Sequence, residues 1–172
     1  MGDAEDLLPS LDNKVISDPA LEGASKRDVR ERFRVWTASE EGQAEKGTRE
    51  MRMPDVMQLG GIAARYQFCI HVDRDSLESI VMRVPQPPNR DRDAIGYVNV
   101  IDAIFEDHSQ SDDEEEDAAD LEEPIEGCTQ EYVGWMKLHF DLVIPQQYAV
   151  FKNPSCFEIG YKRPPAVTRY DL

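Results

Sequence analysis

Three cysteines in 172 residues, at positions 69, 128 and 156, give neither an even set nor a tight pair. Such a complement makes no disulfide framework and points to a reducing compartment. Long apolar runs are missing too. No stretch approaches 18 apolar residues, so no membrane span is expected. The first residues, MGDAEDLLPS, are acidic where a signal peptide would be basic. Gly2 is followed at position 6 by Asp6 rather than a hydroxyl residue, which argues against myristoylation. Asn153-Pro154-Ser155 has a proline at its centre and is no glycosylation acceptor. The expectation is an intracellular protein, cytoplasmic or nuclear, with no membrane partner.

One sign of charge is absent from a long segment. The 21 residues from Glu106 to Glu126 hold twelve carboxylates and no lysine or arginine. The chain has a formal charge of −16, and without this run only −4 remains. The acidity is therefore local and says little about the fold. It does oppose phosphate binding, so no nucleic-acid partner is expected. Leu, Ile, Val and Phe number 39, just above the level of about 20% below which disorder is expected. A folded core diluted by polar segments follows.

Residues 1–24 mix Asp, Pro, Gly and Ser and read as a flexible arm. Residues 25–48 read as an amphipathic helix and a linker. Ser25 with Asp28 three residues on resembles a capping box. Val29, Phe33 and Trp36 fall on one helix face, to dock on the core, while Lys26, Arg27, Arg30, Arg32 and Arg34 crowd the remainder. TASEEGQAEKGTRE, which follows, has no periodicity.

Residues 49–172 are expected to form one α+β domain. In RYQFCIHVD, Tyr66, Phe68, Ile70 and Val72 alternate with Arg65, Gln67, Cys69 and His71, the pattern of a strand burying one face. DSLESIVMRVP reads as a short helix capped by Asp75 and Glu78, with Leu77, Ile80, Val81 and Val84 at helical spacing and a strand as the alternative, given its β-branched residues. IGYVNVIDAIF and EYVGWMKLHFDLV read as strands, PQQYAVFKNP as a helix and CFEIGYK as a last strand. That order matches a ferredoxin-like split βαβ domain, with residues 106–126 as a long acidic hairpin insertion. In that fold the second strand would lie at a sheet edge. It is nevertheless apolar on both faces, and an edge strand ought to be blunted, so the arm or the first helix is expected to cover it. An insertion in a hairpin connection costs little, and twelve like charges should keep it solvated.

GYVNVIDA, PIEGCTQEYVGWMKL and YKRPP resemble segments of uncharacterised proteins of filamentous fungi. The likeness covers residues 64–165. It implies an intracellular fungal protein and carries over no activity, cofactor or functional residue.

Chemistry is thinly signalled. Cys69, His71, Cys128, His139 and Cys156 match no metal-ligand spacing, so no metal site is expected. A cysteine nucleophile with a histidine base can be drawn only on paper, since no nucleophile signature is present. No catalytic residue or cofactor is assigned. Gly60 and Gly61 fit a turn better than a phosphate cradle, because no G-x-G-x-x-G pattern surrounds them. Cys69 shares a strand face with His71, and Trp135 has the parity of His139; an open second sheet face would let them line a surface.

The acidic run offers more. Ser109 and Ser111 each have an acid three residues on, Asp112 and Glu114, which suits acid-directed kinases. The nearest basic surface in the chain is the helix at 26–34. Ser109, Ser111, Asp112, Asp113, Glu114, Glu115, Glu116 and Asp117 are thus the expected interaction and regulatory residues. The expected function is an interaction or adaptor module that recruits basic protein surfaces. The alternative is a small-molecule-binding or enzymatic α+β domain using an open sheet face.

Overall fold

A mixed sheet of four strands organises the molecule. The computed structural model describes residues 14–50, 64–82, 96–107, 122–143, 157 and 160–169. The strands are β1 (Phe68–His71), β2 (Tyr97–Asp102), β3 (Trp135–His139) and β4 (Val167–Thr168), side by side in chain order. β1 and β2 are antiparallel, with Phe68 opposite Asp102 and His71 opposite Asn99. β2 and β3 are antiparallel, with Ile101 opposite Trp135 and Tyr97 opposite His139. β3 and β4 are parallel. The helices are α1 (Lys26–Ala38), α2 (Glu40–Glu50), the single turn α3 (Ala64–Gln67) and α4 (Arg74–Val81).

The α+β class holds, but the ferredoxin-like order does not. That fold runs the strands flanking its first helix parallel, with a third strand between them. Here β1 and β2 are immediate antiparallel neighbours, so α4 makes no crossover. The last strand also moves. Phe157 and Gly160 have helical backbone, and the tail supplies β4 instead. The helix expected at 145–154 lies outside the described residues.

The sheet is apolar on both faces. Phe68, Val98, Val100, Met136, Leu138 and Phe157 form one layer, with Ile80 of α4 against it. Val29 of α1 joins Ile101, Cys128, Val133 and Trp135 in the other. The two-sided apolarity of β2 now has its reason: it is an inner strand between β1 and β3.

α1 starts as its sequence dictates. Ser25 and Asp28 close a reciprocal capping box. Its buried face is Lys26, Val29 and Arg30, with Phe33 and Trp36 only half-buried. α2 replaces the expected linker. Its Glu, Gln, Ala, Lys and Arg residues are good helix formers that outweigh Gly42 and Gly47, and Glu40 and Glu41 are favourably placed in its first turn. Polar contacts hold it: Gln43 Nε2 donates to Thr37 O at 2.7 Å, Arg65 pairs with Glu45 at 2.6 Å, and Lys14 pairs with Glu41. The second half of the expected arm is tied down as well, since Asp18 pairs with Arg32 while Leu21 and Ala24 join the α1-side core. Residues 1–13 lie outside the described residues.

Two apolar faces are not where alternation puts them. α4 is capped by Asp73, not Asp75, and turns Ser76 and Ser79 inward while Leu77 and Val81 stay exposed. The serines have a steric and polar reason. Their small side chains let the helix approach β2, and Ser79 Oγ accepts the Tyr97 N–H at 3.1 Å. In β1, Phe68 is buried but Ile70 is 52% exposed, because β1 ends the sheet and nothing described covers that position. Tyr66, expected in the strand, sits in α3 and stacks on Trp36 with ring centroids 6.2 Å apart. Phe68 stacks on Phe157 at 4.7 Å. Phe68→Ala should therefore cost about 3–5 kcal/mol in urea unfolding. Ile70→Ala should cost under about 1 kcal/mol, as near-surface changes do.

Candidate functional site

The described chemistry concentrates where α1 crosses the sheet. Lys26, Arg30 and Arg34 recur every four residues, so they share one helix face with Val29. Arg30 is 8% exposed. Its Nε donates to Asp102 O at 2.9 Å, and its Nη2 donates to Val133 O at 3.3 Å and Gly134 O at 3.1 Å. The guanidinium also lies over Phe105, 4.7 Å from the ring centre. Arg34 donates to Ala103 O, and to Phe105 O at 2.8 Å. α1 thus clamps both ends of the β2–β3 connection. Gly134 is required there: its φ is +71°, and a Cβ would lie 2.2 Å from the Phe105 ring.

Asp102 satisfies the same corner with its carboxylate. It accepts from Tyr132 OH at 2.7 Å, Gln67 Nε2 at 3.3 Å and Ile104 N at 3.1 Å. Burial, then the Asp102 charge, pushes the Tyr132 phenol up, so it remains a donor.

The far end of the acidic run belongs to the fold. Ile125 and Cys128 exchange backbone hydrogen bonds at 3.0 Å, and Arg163 Nη2 donates to Glu123 O at 2.9 Å. Glu126 takes φ +50°, which costs a non-glycine residue about 1–2 kcal/mol. Its carboxylate accepts the Lys26 N–H at 2.9 and 3.2 Å, at the positive end of α1. Residues 122–126 are therefore structured, and the insertion is shorter than 106–126. Ser109, Ser111, Asp112, Asp113, Glu114, Glu115, Glu116 and Asp117 lie outside the described residues, as do Gly60, Gly61 and Cys156.

Beside the α1 N-terminus is a polar cluster. Lys26 Nζ bonds Asp73 Oδ2 at 2.7 Å and lies 5.1 Å from the Trp135 ring centre. Asn99 Nδ2 donates to the same Asp73 oxygen at 2.9 Å and to His71 O at 3.2 Å, while Ser76 N donates to Asp73 Oδ1 at 2.9 Å. Burial opposes ionisation of Asp73, but the Lys26 and Ser76 hydrogen bonds and the Lys26 charge outweigh it and hold the carboxyl at about 2.

The structure puts Cys69, His71, Trp135 and His139 on one sheet face. Cys69, Ile101 and Trp135 make one cross-strand row; His71, Asn99 and Lys137 make the next. That face is not open at Trp135, which is 7% exposed beneath Lys26. His139 is half-buried and stacks on Phe140 at 5.1 Å. Burial pushes the Cys69 thiol up to about 12 and raises that of Cys128, so neither offers a thiolate at neutral pH. Among the described residues no group of three or more His, Cys, Asp or Glu is arranged to hold a metal ion.

Sequence reasoning missed Asp73, Asp102 and Glu126, and it placed Lys26, Arg30 and Arg34 on the outside. The available signal was the four-residue stripe of cations flanking Val29. Compared with known proteins, the chain matches no family model, no curated protein and no solved structure. No helix among the described residues is long and apolar enough to cross a membrane.

Removing Arg30 leaves three carbonyls without their charged donor. Arg30→Ala should destabilise by about 3–5 kcal/mol, the scale for breaking buried charge contacts. Arg30→Lys should recover only part, because an ammonium cannot reproduce the planar fork of donors. Chemical unfolding of both variants reads this directly. Asp73 sets a pH response. Its folded pKa is depressed from 3.8 to about 2, so its stabilisation is complete well above 3.8 and is lost as pH falls toward 2. The stability difference between the wild type and Asp73→Asn should shrink over that window, measured by urea unfolding at stepped pH.

Proposed function

We propose that the chain is a protein-interaction module that recruits basic protein surfaces through its acidic run. The observation that carries this reading is the engagement of the basic helix. Four of the five cations of α1 are bonded elsewhere: Lys26 to Asp73, Arg32 to Asp18, and Arg30 and Arg34 to backbone carbonyls. They are the chain's densest positive cluster, and they are turned to holding the fold. With four of the five engaged, most of the counter-charge for the carboxylates of residues 107–121 has to come from outside α1. Both ends of their segment are anchored, Phe105 by Arg34 and Glu126 by the α1 N-terminus. Anchored ends reduce the conformational freedom lost when a partner binds.

Ser109 and Ser111 supply the regulatory part. A phosphate on either would add about −1.5 to −2 charges next to Asp112. Three of the four α1 guanidiniums, Arg30, Arg32 and Arg34, are already bonded, so modification chiefly strengthens the outward attraction.

A fluorescent Lys- and Arg-rich peptide, titrated against the full chain, tests the reading. Binding should weaken by tenfold or more as salt rises from about 50 to about 300 mM, as screened charge contacts do. Neutralising Asp112 through Asp117 with Asn and Gln should remove most of the affinity, and Ser109→Glu with Ser111→Glu should tighten it. Equal peptide affinity in the neutralised variant would overturn the reading.

A further inference from the structure

His71 is more than nine-tenths buried, at 8% exposure, yet its Nδ1 has no hydrogen-bond partner. Such buried orphans are rare in folded proteins. The charges that act on the ring come from two other elements: Lys26 of α1, and Asp73, the cap of α4. These two are joined at 2.7 Å. Asn99, opposite His71 in the sheet, ties Asp73 to the His71 carbonyl. Lys137 lies one strand further across, bonded to Tyr97 OH at 3.3 Å, and Glu126 stands behind the Lys26 N–H.

A neutral imidazole fits this arrangement, since it brings no charge beside Lys26. A protonated ring does not. It sets a second cation against Lys26 and competes for Asp73, whose oxygens already accept from Lys26, Asn99 and Ser76. It also turns Nδ1 into a donor with nothing to donate to.

We propose that His71 is a proton switch at the junction of α1 and the sheet: its protonation breaks the Lys26–Asp73 pair, loosens the first turn of α1 and frees the Glu126 end of the acidic run. Burial, then Lys26, lowers the folded pKa of His71 below 6.5, and Asp73 offsets this only in part. The folded junction therefore prefers the neutral ring. Its stability is complete above 6.5 and falls as pH drops from 6.5 through the folded pKa. This switch stands whether or not the acidic run binds basic partners.

Amide hydrogen exchange of Lys26 in the full chain, from pH 8 to pH 5, reads the switch. After correction for intrinsic exchange, the opening constant should rise by up to about tenfold per pH unit below 6.5, the slope for one linked proton. His71→Gln should abolish that slope, and His139→Gln should retain it. An unchanged slope in His71→Gln, or a flat profile in the wild type, overturns the proposal. If His71→Gln does not fold, the wild-type ring resonances decide: a His71 midpoint below 6.5 that levels the Lys26 slope supports the switch, and a midpoint at or above 6.5 overturns it.

Discussion

The rest of the structure hangs on one buried guanidinium. Arg30 donates to carbonyls at the end of β2 and just before β3, far apart in the chain but brought together by the sheet, where the Asp102 N–H also donates to Gly134 O at 2.9 Å. A buried charge is tolerated only where acceptors surround it, so Arg30 fixes those carbonyls in place. α1 is thereby locked over Ile101 and Trp135, and the strand register at that corner is set. Replacing the charge with an apolar side chain would relieve its desolvation but strip the Asp102 and Val133 carbonyls of this donor, Gly134 O keeping the Asp102 N–H. The corner consequently needs arginine, whose fork reaches several acceptors at once.

That lock explains how a hairpin connection can carry a dense block of like charge. Loop length itself costs little, growing only with its logarithm. The danger is repulsion pulling the flanking strands apart. Here the pull meets Arg30 and Arg34 on one side, and on the other the Glu126 carboxylate at the α1 N-terminus and Arg163 on the Glu123 carbonyl. Cations that look like a surface patch in the sequence act as internal clamps against the chain's own acidity.

Some of this was legible from residues alone. Ser25 and Asp28 announced the start of α1, and the β-branched and aromatic run from Tyr97 announced β2, because both signals are local. The antiparallel neighbours on either side of the acidic run were legible too. What failed were contacts decided by tertiary approach. Ser76 and Ser79 are inward because a close helix–strand contact has no room for Leu77, and no periodicity rule favours a serine over a leucine there. α2 has no apolar stripe to read, being held by Gln43, Glu45 and Glu41. The strand order was misread because the succession of elements alone suggested the ferredoxin-like arrangement; the two-sided apolarity of β2, which spoke against an edge position, meant an inner strand. Of the candidate surface, the shared face of Cys69, His71, Trp135 and His139 follows from parity. That α1 covers it does not, since the cover is made by cations.

The α1 N-terminus joins these themes. Its free N–H groups are a natural anion site, and the chain fills it twice: from inside with Asp28 on the Ser25 N–H, and from 100 residues away with Glu126 on the Lys26 N–H. The Lys26 side chain points the other way, to Asp73 and the Trp135 ring. One residue therefore connects the acidic run, the cap of α4 and the sheet core. A change of charge beside Lys26 would reach all three at once, which is why a histidine there whose Nδ1 has no hydrogen-bond partner has more consequence than its burial alone would suggest.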